Sequence, residues 1–198
     1  QESISLTLSL ALDSNRLSHA YLFSGLRGSG KTSTARIFAK SLICENGPTS
    51  SPCDTCAHCV MANEGRHMDI IEMDAASSRK IDDIRDLIEH TKYRPSSASV
   101  KIFIIDEVHM LTKEAHNALL KTLEEPTEHS TFILLTSHPQ EILNTIVSRC
   151  SVIHFQPLAE EQIAWLLQSK GLAAHFAKMA CGSCSRAFEL AEHPQFEQ

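Results

Sequence analysis

The chain has 198 residues, 42% of them hydrophobic and 21% charged, the proportions of an ordinary globular protein with room for one α/β domain and a small appendage. No run approaches the ~20 apolar residues of a membrane span, and no signal-peptide pattern opens the chain, so no membrane partner is expected. A net charge of −6 excludes a protein that coats DNA through bulk charge, so any nucleic-acid contact must be local or shared with other chains.

The chain opens at Gln1 on a helical pattern that puts Ile4, Leu8, Ala11 and Leu12 on one face. It stops abruptly after His193 to Gln198, so both ends read as cuts in a longer chain, with processing of a precursor as the other reading. Five short apolar runs then read as strands, over residues 20–23, 69–73, 101–105, 131–135 and 152–155. Helical patterns over 32–44, 81–91, 113–123 and 139–147 separate them, and that alternation implies a parallel sheet covered on both faces. Beyond Pro157 the pattern turns helical throughout, over 160–169, 173–180 and 185–192, which predicts a boundary near Gln156 and a small helical domain after it.

Directly after the first strand, Gly25-Leu26-Arg27-Gly28-Ser29-Gly30-Lys31-Thr32 fills every specified position of G-x-x-x-x-G-K-[ST] and opens a helix. Glycines let backbone N–H groups turn inward around phosphate oxygens, and the helix N-terminus adds a positive dipole end. Lys31 is expected to reach the β- and γ-phosphates, and Thr32 to ligate Mg²⁺ through its hydroxyl. The candidate ATP-binding residues are Gly25, Gly28, Ser29, Gly30, Lys31, Thr32, Ser33 and Asp106. A glycine-rich turn that merely joins strand to helix is the plainer reading, and it leaves the full motif unexplained. The apolar run ending in Asp106-Glu107 places two carboxylates at the carboxyl edge of the sheet, where α/β proteins bind ligands. Asp106 would hold Mg²⁺ through water, and Glu107 would orient and deprotonate the attacking water.

Four of the seven cysteines, Cys44, Cys53, Cys56 and Cys59, form C-x8-C-x2-C-x2-C around a loop-forming Glu45–Pro52 stretch. A redox pair or an iron–sulfur site would also use thiols. Four thiolates with no activating base nearby favour structural Zn²⁺, with His58 and His67 unneeded as ligands. Cys150, Cys181 and Cys184 are read as ordinary small residues.

These motifs, with the phrases around them, resemble the gamma/tau family of bacterial DNA polymerase III clamp-loader subunits. The resemblance is carried by His19-Ala20-Tyr21-Leu22-Phe23, Asp74-Ala75-Ala76-Ser77, Ile81-Asp82-Asp83-Ile84-Arg85 and Asp106-Glu107-Val108-His109-Met110-Leu111. Asn117-Ala118-Leu119-Leu120-Lys121-Thr122-Leu123-Glu124-Glu125-Pro126 and Ser148-Arg149-Cys150 extend it. It implies an AAA+ core over residues 1–156 with a five-stranded parallel sheet and a zinc module inserted at 44–59, followed by a small all-α lid domain at 157–198. It also implies a cytoplasmic ATPase that uses ATP, Mg²⁺ and Zn²⁺ to load the sliding clamp onto primer-template DNA. Its partners would be delta, delta-prime and further gamma/tau copies. Arg149 would then be an arginine finger offered to a neighbour's ATP, a role nothing else in the sequence suggests. Ser137 would place a hydroxyl near the γ-phosphate as a sensor, with Thr136 as backup. A segment ahead of Gln1 would complete the adenine pocket.

Two departures from the family spelling stand out. Residues 135–139 read Leu-Thr-Ser-His-Pro, where the family usually has Ala-Thr-Thr-Asp-Pro. Ser185 stands where gamma/tau usually carries arginine, with Arg186 one place late for a second sensor, a spelling nearer to delta-prime. A delta-prime-type stator that supplies Arg149 without hydrolysis is therefore an alternative, and a zinc-dependent interaction module is another. His90, His116, His129, His138, His154 and His175 are expected on the surface, and His109 is given no chemistry. Trp165 is expected in the core of the helical domain. Arg79 and Lys80 are read as a solvated turn rather than a contact to DNA phosphates.

Overall fold

A computed structural model of the chain describes residues 2–77 and 81–192, so Arg79, Lys80 and the two extreme ends lie outside the described residues. Five strands form one parallel sheet: β1 (Ala20–Gly25), β2 (Ile70–Asp74), β3 (Lys101–Asp106), β4 (Ser130–Thr136) and β5 (Ser151–Phe155), in the order β2-β3-β4-β1-β5. The three central strands are the apolar ones. Every residue of β4 is buried, whereas edge strand β5 buries only Ile153 and Phe155.

The period-2 geometry of a strand sorts these side chains into two layers. Tyr21, Phe23, Ile102, Ile104, Ile133 and Leu135 face α1 (Glu2–Asp13) and α2 (Lys31–Ile43). Leu22, Phe103, Ile105, Phe132 and Leu134 face α4 (Ile81–Thr91) and α5 (Lys113–Glu124) on the other side. Each large apolar side chain so buried contributes about 1.5–3 kcal/mol by removal from water. The backbone around the sheet's carboxyl edge is therefore fixed by packing on both faces.

Two stretches depart from the sequence reading. The expected helix over 139–147 is broken into a 3₁₀ turn at Pro139–Glu141 and α6 (Asn144–Val147), with Ile142 and Leu143 extended between them. The break lets Ile142 and Ile146 enter the same core layer. An unforeseen helix, α3 (Ala57–Asn63), lies inside the cysteine segment, capped by the Cys56 thiol, which accepts from the Cys59 N–H.

Helices α7 (Glu160–Ser169), α8 (Phe176–Met179) and α9 (Cys184–Glu192) share a small core of their own around Ile163, Leu167, Phe176 and Ala187. Trp165 is not part of it and is 67% exposed. Ile163 and Leu167 are one turn apart and face inward, so residue 165, about 200° round the helix, must face out. His116 errs the other way: it falls on the inner stripe of α5 with Leu119 and Leu123 and is buried. Its Nε2 has no hydrogen-bond partner among the described residues. No described helix is long and apolar enough to cross a membrane.

Candidate functional site

Strand order decides what can meet at the carboxyl edge. β1, β4 and β3 are neighbours, so Gly25, Thr136 and Asp106 end side by side and their following loops share one cleft. The cleft holds about 1180 Å³ and is lined by residues 26–34, by Asp106, Glu107 and Ser137, and by Leu158, Lys170 and Ser185 from the helical end.

The loop 25–30 wraps the start of α2. Gly28 (φ +78°) and Gly30 (φ +96°) take left-handed backbone that a side chain would strain. At Gly28 a Cβ would also lie 2.4 Å from Ser183 Oγ, so α9 closes directly on this loop. The Cys184 N–H donates to the Gly28 carbonyl at 3.0 Å.

The polar side chains satisfy one another across the cleft. Buried Lys31 donates from Nζ to the carbonyls of Gly25 (2.7 Å) and Leu26 (2.9 Å), the loop's own oxygens. Burial pulls its ammonium below the usual lysine range, while the Glu107 and Asp106 carboxylates push it back up. The Thr32 hydroxyl donates to Asp106 Oδ2 at 2.8 Å, so a hydroxyl and a carboxylate converge at the mouth of the phosphate loop. That oxygen pair has the chemistry of a Mg²⁺ site, because hard dications take oxygen ligands.

Glu107 sits in the left-handed region (φ +48°), and its N–H donates to Asp106 Oδ1. Its Oε2 accepts from Ser137 Oγ at 2.9 Å. Thr136, by contrast, is occupied elsewhere, accepting from the His138 N–H and lying 3.1 Å from His109 Nδ1. His138 Nδ1 contacts His109 Nε2 at 3.1 Å, so two histidines stand behind Glu107 that the sequence reading had left without a role. Lys170 was missed because only the fold brings it to the cleft, whereas Ser185, at the family's arginine position, does line it.

Arg149 is not at this site. Its Nη2 pairs with Glu124 Oε1 at 2.7 Å, and its Nη1 donates to the Thr145 carbonyl. Arg186 is exposed and does not line the cleft.

The four cysteines converge at the far end of α2. Cys44 caps the helix, and all four sulfurs lie within 4.8 Å of one another, with Cys53 and Cys59 4.0 Å apart. A tetrahedral metal with bonds of ~2.3 Å needs sulfurs at about this spacing. The N–H groups of Cys53, Cys56 and Cys59 each point at the sulfur of another cluster member. Backbone N–H bonds from Thr55 and Cys56 hold the Cys53 thiol down at about 6, whereas burial pushes Cys59 up to about 12. His58 and His67 bond each other at 2.8 Å rather than completing the cluster.

The family described as "DNA polymerase III, delta subunit" matches residues 1–159. The chain is 49% identical over 168 residues to the DNA polymerase III subunit tau of Escherichia coli, covering 85% of this chain and 26% of that protein. It is 52% identical over 163 residues to that of Bacillus subtilis, covering 82% and 29%. The chain thus spans little more than a quarter of those relatives. Among solved structures, a DNA polymerase III gamma-subunit-related protein of Thermotoga maritima covers 96% of this chain and 57% of its own, at TM-score 0.58 and 20% identity. The RuvB Holliday junction branch migration motor of the same organism covers 97% and 60%, at TM-score 0.64 and 20% identity. At those identities the two structures show the fold alone. With the family match over residues 1–159, the phosphate loop and these identities on one chain, it belongs to the DNA polymerase III subunit family that includes the tau and gamma subunits.

Proposed function

We propose that the chain is the ATP-binding and ATP-hydrolysing core of a clamp-loader subunit, acting in the bacterial cytoplasm. Residues 1–156 would be the nucleotide-binding domain, with the cysteine module at 44–59, and residues 157–198 the lid. The observation that carries the reading is the phosphate loop of Gly25, Gly28, Ser29, Gly30, Lys31, Thr32 and Ser33 facing Asp106 and Glu107, with Thr32 Oγ1 2.8 Å from Asp106 Oδ2.

The chemistry follows from the charges. Lys31 leaves its two carbonyl partners and neutralises the β- and γ-phosphates, while the loop N–H groups cradle their oxygens. Thr32 and Asp106 would hold Mg²⁺, which screens phosphate charge when bound. Glu107 orients a water for attack on the γ-phosphorus and takes its proton, and ADP leaves as the P–O bond breaks. Ser137, bonded to Glu107, would report γ-phosphate by exchanging that bond for one to a phosphate oxygen. Arg149, remote from its own cleft, would stabilise transition-state charge on a neighbour's ATP. Cys44, Cys53, Cys56 and Cys59 would hold structural Zn²⁺. The partners of such a subunit are delta, delta-prime and further gamma/tau copies, with the sliding clamp and primer-template DNA as what the assembly works on.

The test is ATP binding and turnover by this chain, alone and mixed with those subunits, for the unsubstituted protein and for Lys31→Ala, Glu107→Gln and Arg149→Ala. Binding strongly weakened in Lys31→Ala, turnover but not binding lost in Glu107→Gln, and Arg149→Ala rescued by an unsubstituted neighbour are the expected results. Tight ATP binding without turnover in any mixture, with Arg149→Ala still silencing a neighbour, would replace this reading by the stator one.

A further inference from the structure

The nucleotide cleft has two walls of unlike chemistry. The sheet-edge wall carries Lys31 and Arg27 against Asp106 and Glu107. The helical wall is mostly apolar, with Leu158, Leu166 and Phe188, and among the described residues its one cation on the cleft is Lys170. Lys170 ends α7 as its C-cap and is exposed. Its Nζ lies 4.8 Å from the centre of the Phe188 ring, and it has no carboxylate partner among the described residues.

This placement is close to the phosphate loop. Cys184, whose N–H bonds the Gly28 carbonyl, feels the Lys170 charge: burial raises the Cys184 thiol, and Lys170 opposes that rise. An ammonium held only over a ring face is weakly restrained and keeps four side-chain bonds of freedom. A polyphosphate entering the cleft would offer it a far stronger counter-charge.

We propose that Lys170 is a phosphate-contacting residue, the means by which the C-terminal helices grip the phosphate chain of a nucleotide held by the loop 25–32. The inference rests on the reading of that loop as a nucleotide site. Lys170 leaves the Phe188 ring when phosphate is present and returns when the cleft empties, so nucleotide binding pins α7 and α9 to the sheet-edge wall. Lys31 supplies the fixed cation and Lys170 the mobile one. Ser185, which also lines the cleft, brings no charge there.

Titration of the 198-residue protein with a fluorescent ATP analogue and Mg²⁺, at low and high salt, tests this directly. Lys170→Gln is expected to weaken binding about tenfold at low salt, the size of one charge-assisted hydrogen bond. Lys170→Arg should restore most of that affinity, and the Gln variant should show a shallower salt dependence than the unsubstituted protein. Unchanged melting temperatures would separate this from lost packing on Phe188. Equal affinity for Lys170→Gln and the unsubstituted protein, or an Arg variant as weak as the Gln variant, would overturn the proposal while Lys31→Ala still weakened binding. If Lys31→Ala bound as well as the unsubstituted protein, or if the unsubstituted protein bound no nucleotide, the nucleotide reading itself would fall, and Lys170's role with it.

Discussion

The two ends of α2 carry two binding sites that are built in opposite ways. At its N-terminus the phosphate loop is complete without its ligand. Lys31 bonds loop carbonyls, Thr32 bonds Asp106 and Ser137 bonds Glu107, so each polar group has a protein substitute for what it would bind. At its C-terminus the four thiols have only weak N–H···S contacts and each other. The first site is anchored in the double-sided core of the sheet, whereas the second closes a loop with little apolar packing of its own. Substitutions at the first should therefore alter binding and spare the fold, and substitutions at the second should do the reverse.

The largest effect should come from Cys44→Ser or from stripping metal with a strong chelator. Structural zinc sites contribute folding free energy outright. Loss of several kcal/mol would lower the melting point of a chain this size by about 10 °C or more. Elemental analysis should show about one zinc per chain before and none after, with ATP affinity held within roughly twofold of the loaded protein wherever it stays folded. Zinc retained at one per chain in Cys44→Ser would remove these residues from the ligand set.

Lys31→Ala should invert that outcome. A lost charge-assisted phosphate contact weakens ATP binding by roughly 10- to 100-fold. Melting without nucleotide should stay level or rise slightly, because an ammonium buried at a desolvation cost has been removed. Calorimetric melting with and without ATP separates the two effects, and a large fall in the nucleotide-free melting point would show that the phosphate site is not self-sufficient.

Between the two sites in scale stands Asp69, where the chain returns from the cysteine segment to β2. Burial alone would raise this carboxyl, but N–H groups of Ala98, Ser96 and Ser97 outweigh it and hold it below the usual carboxylate range. A depressed folded value means stability that is present above the unfolded carboxyl's pKa of about 4 and lost as pH falls through the folded one. Asp69→Asn should cost about 1–3 kcal/mol at pH 7 and flatten the acid limb of the stability curve. An acid limb as steep in Asp69→Asn as in the unsubstituted protein would assign it to other carboxylates.

What the sequence made legible divides along the same line. The phosphate loop, the Asp106-Glu107 pair and the cysteine spacing are each written within a dozen or so residues, so their chemistry could be read before any fold was known. The strands were equally plain, since buried parallel strands are short unbroken apolar runs. Facing relations were not. Lys170 meets the cleft, and His138 meets His109, only through long-range packing. Trp165 and His116 were misplaced because one position of helical phase separates a buried face from a wet one. The 139–147 pattern failed because Ile142 was drawn into the core at the expense of helix continuity.

Arg149 is the smallest and most local case, where the motif gave the residue and the fold gave its present partner. Its Nη2 sits 2.7 Å from Glu124 Oε1, yet both side chains are partly exposed, at 35% and 42%. A half-solvated ion pair of this kind contributes at most about 1 kcal/mol, so it can hold the guanidinium in place without preventing its release. If Arg149 serves a neighbour's phosphate, Glu124→Gln should leave ATP binding by its own chain unchanged and shift the melting point only slightly. In mixed assemblies it should raise turnover at the neighbouring site by up to roughly fivefold, the factor set by the lost pair. Turnover that falls instead would mean that Glu124 aims Arg149 toward the neighbour rather than withholding it. The ion pair would then belong to the working geometry of the interface.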